Sequence, residues 1–432
     1  MHKFLIINDL NDINDIYIRH FSLDKGHFIA KSLAKMGHEV YFLTTNKDYE
    51  KYGIKYIFVD NITTEFLDSI NYVVIIREPL IINIVNAIPA IKEKLSIPKQ
   101  NRNNPKFIIK SDSPMWFTNK QFINNIHVIF NVKKTRDTIK KWVINHFDFI
   151  CAQNEDFCQV ATNAGVPRNS IIISNMGISN NHVDYHELDN PYDINHSYCV
   201  PNVSLLGANK ALLPLYYVEN PDKIAEFNTK KYIIVYTGRI KTDSGKILFN
   251  MKNIMELLGE EYELHIFPGS FIIPLSGKTD KHSGKNSNSL EILRNIIFKE
   301  NKNIIVHFPY LHENKYKYLY FADCGIDFSD IRPNNVKPLA GHAKILEYCE
   351  IGLPVVCENN IHNLFLIENG KNGIILPYMT SDNEYAEAIK KIMTIPINRE
   401  YCRNITVQNE NWDKKTIELL EQLDQLLNYS HK

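Results

Sequence analysis

Short runs of β-branched and aromatic residues recur along this chain, each followed by a polar loop and a segment of helical spacing. In the first half the runs are KFLIIN, VYFLTT, KYIFVD, YVVIIR, KFIIKSD, FICAQN and SIIISN. Runs that are apolar throughout read as strands covered on both faces, and alternation of such strands with helices specifies a parallel, doubly wound sheet. Between the first two runs lies GHFIAKSLAKMGHE, where Ala30, Leu33, Ala34 and Met36 form an apolar stripe and Gly37 supplies a helix stop. The periodicity fades from about Ile178 to Thr229, a stretch rich in Asn, Asp, His and Pro. A second series then begins with KYIIVYTGRI and continues through YELHIFPG, NIIVHFP, CGIDFSD, LPVVCEN and GIILP. The expected fold is α/β, with two doubly wound parallel-sheet domains over residues 1–205 and 206–405 and a terminal segment over 406–432. A length of 432 residues accommodates two such domains, and a ligand belongs by default in the cleft between them.

The terminal segment NWDKKTIELLEQLDQLLNYS carries Ile417, Leu420, Leu423, Leu426 and Leu427 at helical spacing, an amphipathic helix that must dock on something. PLSGKTDKHSGKNSNSLE is a polar, low-complexity insertion, expected as a surface loop. Lys plus Arg and Asp plus Glu both total 49, so the basic excess expected of a general nucleic-acid binder is absent. The seven cysteines are scattered without a C-x-x-C pair and read as reduced thiols, neither a disulfide framework nor a zinc site. The start MHKFLIINDLNDIND turns polar where a signal peptide would stay apolar, and the most apolar stretch is broken by Arg77, Glu78 and prolines. A cytoplasmic protein without a transmembrane segment is expected, with peripheral membrane contact still open.

Two stretches of the second half bear chemistry. In GHAKILEYCEIGLPVVCEN a helix is expected over about residues 342–351, stopped by Gly352. Lys344 falls in its first turn, where the helix dipole disfavours a cation by about 0.3–1 kcal/mol unless an anion lies nearby. In a parallel sheet the loop after a strand delivers the next helix's N-terminus to the ligand side, so Lys344 and the helical N–H groups suit a phosphate. Glu347, one turn on, would repel that phosphate but can accept from two adjacent hydroxyls such as those of a ribose. An i,i+3 Lys–Glu pair on the helix surface accounts for the same two residues without a ligand. The second stretch is VYTGRIKTDSGK: a strand ends at Thr237, Gly238 turns the backbone, and Arg239, Lys241 and Lys246 offer cations for a diphosphate.

The order of LAKMGHEVYFLTT, IIISNMGIS, VYTGRI, GHAKILEYCEIGLPVVCEN, LIENGKNGIIL and NWDKKTIELL resembles the group 1 (family 4-like) glycosyltransferases of GT-B fold, over nearly the whole chain. K-x-x-E-Y-x-x-x-G-x-P-V-V followed by ENGKNGIIL is its most specific part. The resemblance implies two Rossmann-like domains, the first on the acceptor side and the second binding a nucleotide sugar, with the last helix packing back on the first. It implies that Gly238, Arg239, Lys241, Lys246 and Lys344 hold the donor diphosphate and that Glu347 holds the ribose. It further implies a retaining, metal-independent transfer with no cofactor beyond the nucleotide-sugar co-substrate, the departing diphosphate being stabilised by cations and a helix N-terminus. Three features depart from the family's pattern. The first of its two glutamates falls at Leu339, Ser244 and Gly245 replace a Lys-Gly, and the first loop, NDLNDINDIYIRH, lacks the usual glycine pair.

On the acceptor side, Asp112 follows the strand KFIIK and can meet an acceptor hydroxyl as a catalytic group, although Ser111, Ser113 and Pro114 around it equally suit an Asx turn. Arg77, Glu78 and His307 also follow strands and have no assigned role. The expected function is transfer of a hexose from a UDP- or GDP-sugar to a hydroxyl of a glycan, lipid-linked or protein acceptor. The alternatives are a nucleotide-sugar epimerase on the same fold and a catalytically degenerate binding protein.

Overall fold

In the computed structural model, residues 1–8, 21–44, 47–76, 84, 87–110, 120–178, 192, 231–238, 246–267, 303–306, 315–327, 343–359, 366–378 and 380–429 are described below. The first half contains β1 (Lys3–Ile7), α1 (Phe21–Lys35), β2 (Glu39–Thr44), β3 (Tyr49–Lys51), β4 (Ile54–Phe58), α2 (Thr64–Asp68) and β5 (Tyr72–Ile76). It continues with α3 (Pro89–Ser96), β6 (Lys106–Lys110), α4 (Lys120–Phe130), α5 (Arg136–His146), β7 (Phe149–Ala152), α6 (Glu155–Asn163) and β8 (Ile171–Ile173). These strands form an 8-stranded sheet in the order β3-β4-β2-β1-β5-β6-β7-β8. Every pairing in it is parallel except β3 with β4.

That exception is a departure from the purely parallel expectation. β3 is a short, wholly exposed edge strand, so it carries no apolar signal. It folds back on β4 through Tyr52 and Gly53, both at positive φ, which is how a two-residue hairpin turn is made.

The second half contains β9 (Tyr232–Thr237), α7 (Lys246–Leu258), β10 (Tyr262–Phe267), β11 (Ile304–Val306), α8 (Lys315–Tyr320), β12 (Cys324–Asp327) and α9 (Ala343–Glu350). β13 (Val355–Glu358), β14 (Gly373–Leu376), α10 (Asp382–Thr394), α11 (Arg399–Glu410) and α12 (Trp412–Tyr429) complete it. Its 6-stranded sheet is parallel, in the order β11-β10-β9-β12-β13-β14. Period-2 alternation sorts each strand onto two cores, as a sheet covered on both faces requires. Ile234 and Tyr236 pack with Met251, Met255, Tyr385 and Ile389 of α7 and α10. Ile233 and Val235 pack with Leu319, Ile345, Leu346 and Tyr348 of α8 and α9.

α12 belongs to the first sheet's core. Trp412, Leu419 and Leu423 are buried with Phe4, Ile6, Ile29 and Leu33, and Trp412 stacks on Phe28. Ile417, placed on the apolar stripe by spacing, is 45 % exposed; Leu419 takes the inward position. The amide of Gln422 both accepts from Ile173 N and donates to Ile173 O, closing the open edge at β8. Two backbone bonds tie the crossing in place, Ile178 N to Glu410 O and Trp412 N to Ile178 O. Residues 405 and 406 lie inside α11, whereas the boundary at 205/206 and the insertion after Pro274 lie outside the described residues. Cys151, Cys158, Cys324, Cys349, Cys357 and Cys402 are free and buried. No described helix is long and apolar enough to cross a membrane.

Candidate functional site

The strand order of the second sheet reverses between β9 and β12: the chain runs outward from β9 to β11 and then returns to β12 on the other side. Such a switch point favours a crevice at the carboxyl ends of the two strands, because the helices that follow them, α7 and α9, pack on opposite faces of the sheet. Thr237 ends β9, Asp327 ends β12, and α9 begins above them with Lys344 in its first turn.

The Lys344 ammonium lies 2.8 Å from Asp327 Oδ1 and 3.3 Å from the Tyr236 hydroxyl, with the Tyr236 ring 4.4 Å away. Asp327 is fully buried, and the Lys344 side chain is 13 % exposed. The anion that a cation in the first helical turn demands is therefore supplied by the protein itself. Burial alone would lower the affinity of Lys344 for its proton. The Asp327 carboxylate, aided by Tyr236 and Tyr348, outweighs it and holds Lys344 charged well beyond the usual lysine range. An ammonium has three N–H donors, and Asp327 and Tyr236 engage two of them.

Glu347 accepts from Thr237 Oγ1 at 3.3 Å, so its carboxylate faces the end of β9. Beside it the buried Tyr348 hydroxyl meets Thr237 N at 3.0 Å and lies 3.4 Å from the carbonyls of Val235 and Ile326. This one side chain fastens α9 to both switch-point strands. Its ring fits because residue 325 is glycine: a Cβ there would lie 2.6 Å from Tyr348 Cδ2. The helix ends as its sequence requires, with Gly352 at φ +67° and Leu353 N bonded to Tyr348 O.

Gly238 continues the ladder through its N–H to Phe267 O and takes φ +102°, a conformation that favours glycine. A Cβ at this position would lie 3.3 Å from Lys344 Cε, so Gly238 and Lys344 come together across the crevice. Lys246 is the first residue of α7, but its side chain lies outside the described residues. Arg239, Lys241, Ser244 and Leu339 also lie outside them, as do Asp112, Arg77, Glu78 and His307. At the corresponding edge of the first sheet, Lys110 ends β6 and donates to Ser174 O and Ser174 Oγ at 2.9 and 3.0 Å. Sequence reasoning missed Asp327, Tyr236, Thr237 and Tyr348. Asp327 did carry a signal, since a carboxylate at the end of an apolar, buried strand must find a partner.

No protein-family model matches the sequence, and no curated protein matches it either. Solved structures do match. Sucrose-phosphate synthase from Thermosynechococcus elongatus aligns with 99 % of this chain and 100 % of its own at a TM-score of 0.57 and 13 % identity. Anabaena HepE, solved in complex with UDP-glucose, aligns with 98 % of this chain and 100 % of its own at a TM-score of 0.55 and 11 % identity. A glycosyltransferase from Rickettsia africae covers 99 % of this chain and 98 % of its own at a TM-score of 0.54 and 13 % identity. Two sheets, parallel but for the β3–β4 edge pairing, with helices on both faces and matched end to end by these proteins, give the chain the GT-B glycosyltransferase fold.

Proposed function

We propose that this protein is a glycosyltransferase that binds a nucleotide diphosphate sugar at the β9/β12 switch point. It moves a hexose from a UDP- or GDP-sugar to a hydroxyl of a glycan, lipid-linked or protein acceptor, with retention and without a metal. The observation that carries this reading is the meeting of Lys344, Glu347 and Gly238 at the switch point of the second sheet. The third Lys344 donor and the N-terminal N–H groups of α9 suit the diphosphate, with Arg239 and either Lys241 or Lys246 assisting. Glu347, displaced by one turn, suits the ribose hydroxyls. Charge that grows on the departing diphosphate is then met by preorganised donors, the effect such a transfer needs most. Residues 1–205 would take the acceptor, with Asp112 as the candidate catalytic group.

Thermal unfolding with UDP, GDP, ADP and their sugars in excess is the first test, with UDP leading because HepE, of similar fold, is solved with UDP-glucose. A ligand present at about 100 times its dissociation constant should add about 2.7 kcal/mol to native stability. Glu347→Ala should leave the protein folded and weaken the bound nucleotide by about 1.5–3 kcal/mol, as when a charged hydrogen-bonding group is lost. Normal transfer kinetics in that variant would remove Glu347 from the ribose site. Product analysis by mass and NMR separates transfer from epimerisation.

A further inference from the structure

We infer that Asp327 is a positioning residue for the donor site: its buried carboxylate fixes the direction and the charge of Lys344, so that the lysine meets the diphosphate through its remaining N–H. This rests on the reading of the switch point as a nucleotide site. Asp327 cannot reach a ligand itself, because it is fully buried at the end of β12 and Lys344 lies over it at 2.8 Å. Its backbone is held from below, where the Tyr385 hydroxyl of α10 lies 2.8 Å from both Asp327 O and Val356 O and shares its one proton between them. Lysine is a flexible point charge, and one lysine at the mouth of a crevice binds a phosphate in many orientations. Held by Asp327, by the Tyr236 hydroxyl and against the Tyr236 ring, Lys344 loses that freedom before the ligand arrives. Preorganisation of this kind lowers the cost of ordering on binding.

The second consequence concerns charge. The described groups that face Lys344 are Asp327 from β12, Tyr236 from β9, and Glu347 and Tyr348 from its own helix, with Tyr385 of α10 behind Asp327. Asp327 and Glu347 are the carboxylates of this set, and Glu347 is turned toward Thr237. Without Asp327, burial would be opposed only by the weaker influence of Tyr236 and Tyr348, and Lys344 would give up its proton at lower pH than it does beside the carboxylate.

The test is calorimetric titration with UDP and GDP at about pH 7.5 and about pH 9.5, on the wild-type chain and on Asp327→Asn, Asp327→Asn/Lys344→Arg and Glu347→Ala. Asparagine keeps the shape and the acceptor but removes the charge. The ratio of variant to wild-type dissociation constants cancels the titration of the nucleotide itself. For Asp327→Asn that ratio should rise about tenfold from the lower to the higher pH, as Lys344 gives up its proton. In the double variant it should stay flat, because arginine remains charged throughout. A flat ratio for Asp327→Asn, alongside binding lost in Glu347→Ala, overturns the role of Asp327 and leaves the nucleotide site standing. No binding of either nucleotide to the wild-type chain overturns both. Should Asp327→Asn not fold, the ¹³Cε resonance of Lys344 in the wild-type chain, identified by its loss in Lys344→Arg, carries the test. It should not titrate below about pH 11, whereas titration together with the exposed lysines overturns the proposal.

Discussion

Two buried ion pairs sit at opposite kinds of sheet edge, and they are built differently. Arg102 and Asp148 lie at the edge of the first sheet where β6 and β7 begin, with side chains 1 % and 7 % exposed. All five Arg102 donors are matched: Nε to Pro105 O, one terminal nitrogen to Lys94 O and Ile97 O, the other to His146 O and Asp148 Oδ2. Asp148 also accepts from Phe107 N at 2.8 Å, and the guanidinium lies over the Phe107 ring. Lys344 and Asp327 lie where the strands of the second sheet end, with one lysine donor left over and 13 % of its side chain open. Burial of a charge is tolerable only when its hydrogen bonds are made. A saturated pair can do no more than hold loops together; an unsaturated one at a crevice is equipped to receive something.

Arg102→Met probes the saturated pair and should have the largest effect, about 3–5 kcal/mol lost in urea unfolding, because the buried Asp148 loses its closest cation and keeps only Phe107 N at 2.8 Å and Lys106 at 3.5 Å. Nucleotide affinity of the folded fraction should not change. A loss below about 1 kcal/mol would erase the distinction between the two pairs. Gly325→Ala sharpens the other side of the comparison, since the added methyl must displace the Tyr348 ring. It should cost about 1–3 kcal/mol of stability and also weaken nucleotide binding, through Thr237 and Glu347. Unchanged binding would make Tyr348 a packing residue only.

The smallest effect belongs to a third, open cluster, in which Glu39 meets Lys55 at 2.7 Å, Lys3 at 3.2 Å and the Tyr41 hydroxyl at 2.7 Å. Hydrogen bonds from Lys55 and Tyr41 hold its carboxyl down at about 2 from an ordinary 4.5. Its contribution is complete above the ordinary value and is lost as pH falls through about 2. Glu39→Gln should lower stability at neutral pH by a small amount, because water screens the cluster, and this difference from the wild-type chain should vanish as pH falls through about 2. An acid limb of unchanged slope would mean that Glu39 contributes nothing.

Much of this was legible in the chain. Thirteen runs of β-branched and aromatic residues mark every described strand except β3, whose residues Tyr49, Glu50 and Lys51 are all exposed and have no apolar face to betray them. Helix stops were legible because they are local: Gly37 and Gly352 sit at positive φ just past α1 and α9. On the stripe read for α12, Leu420, Leu423, Leu426 and Leu427 do pack on the first core; only Ile417 is turned out, and Leu419 takes an inward place, a choice that contact with α1 and β1 makes. At the site, the sequence marked Lys344, Glu347 and Gly238 as unusual through their places in a helix and a turn. It offered a Lys344–Glu347 pair, whereas Lys344 turns to Asp327 and Glu347 to Thr237.

The sequence by itself determined the alternation of strands and helices, the ends of the helices, and the cation at the start of α9, because burial period, backbone conformation and the helix dipole act over a few residues. Only the tertiary structure decided which anion that cation meets. Asp327 is 17 positions away from Lys344, and Tyr236 and Thr237 are more than 100. They become neighbours only once β12 inserts beside β9, a choice of strand order made by the packing of the whole sheet and not by any local stretch of chain.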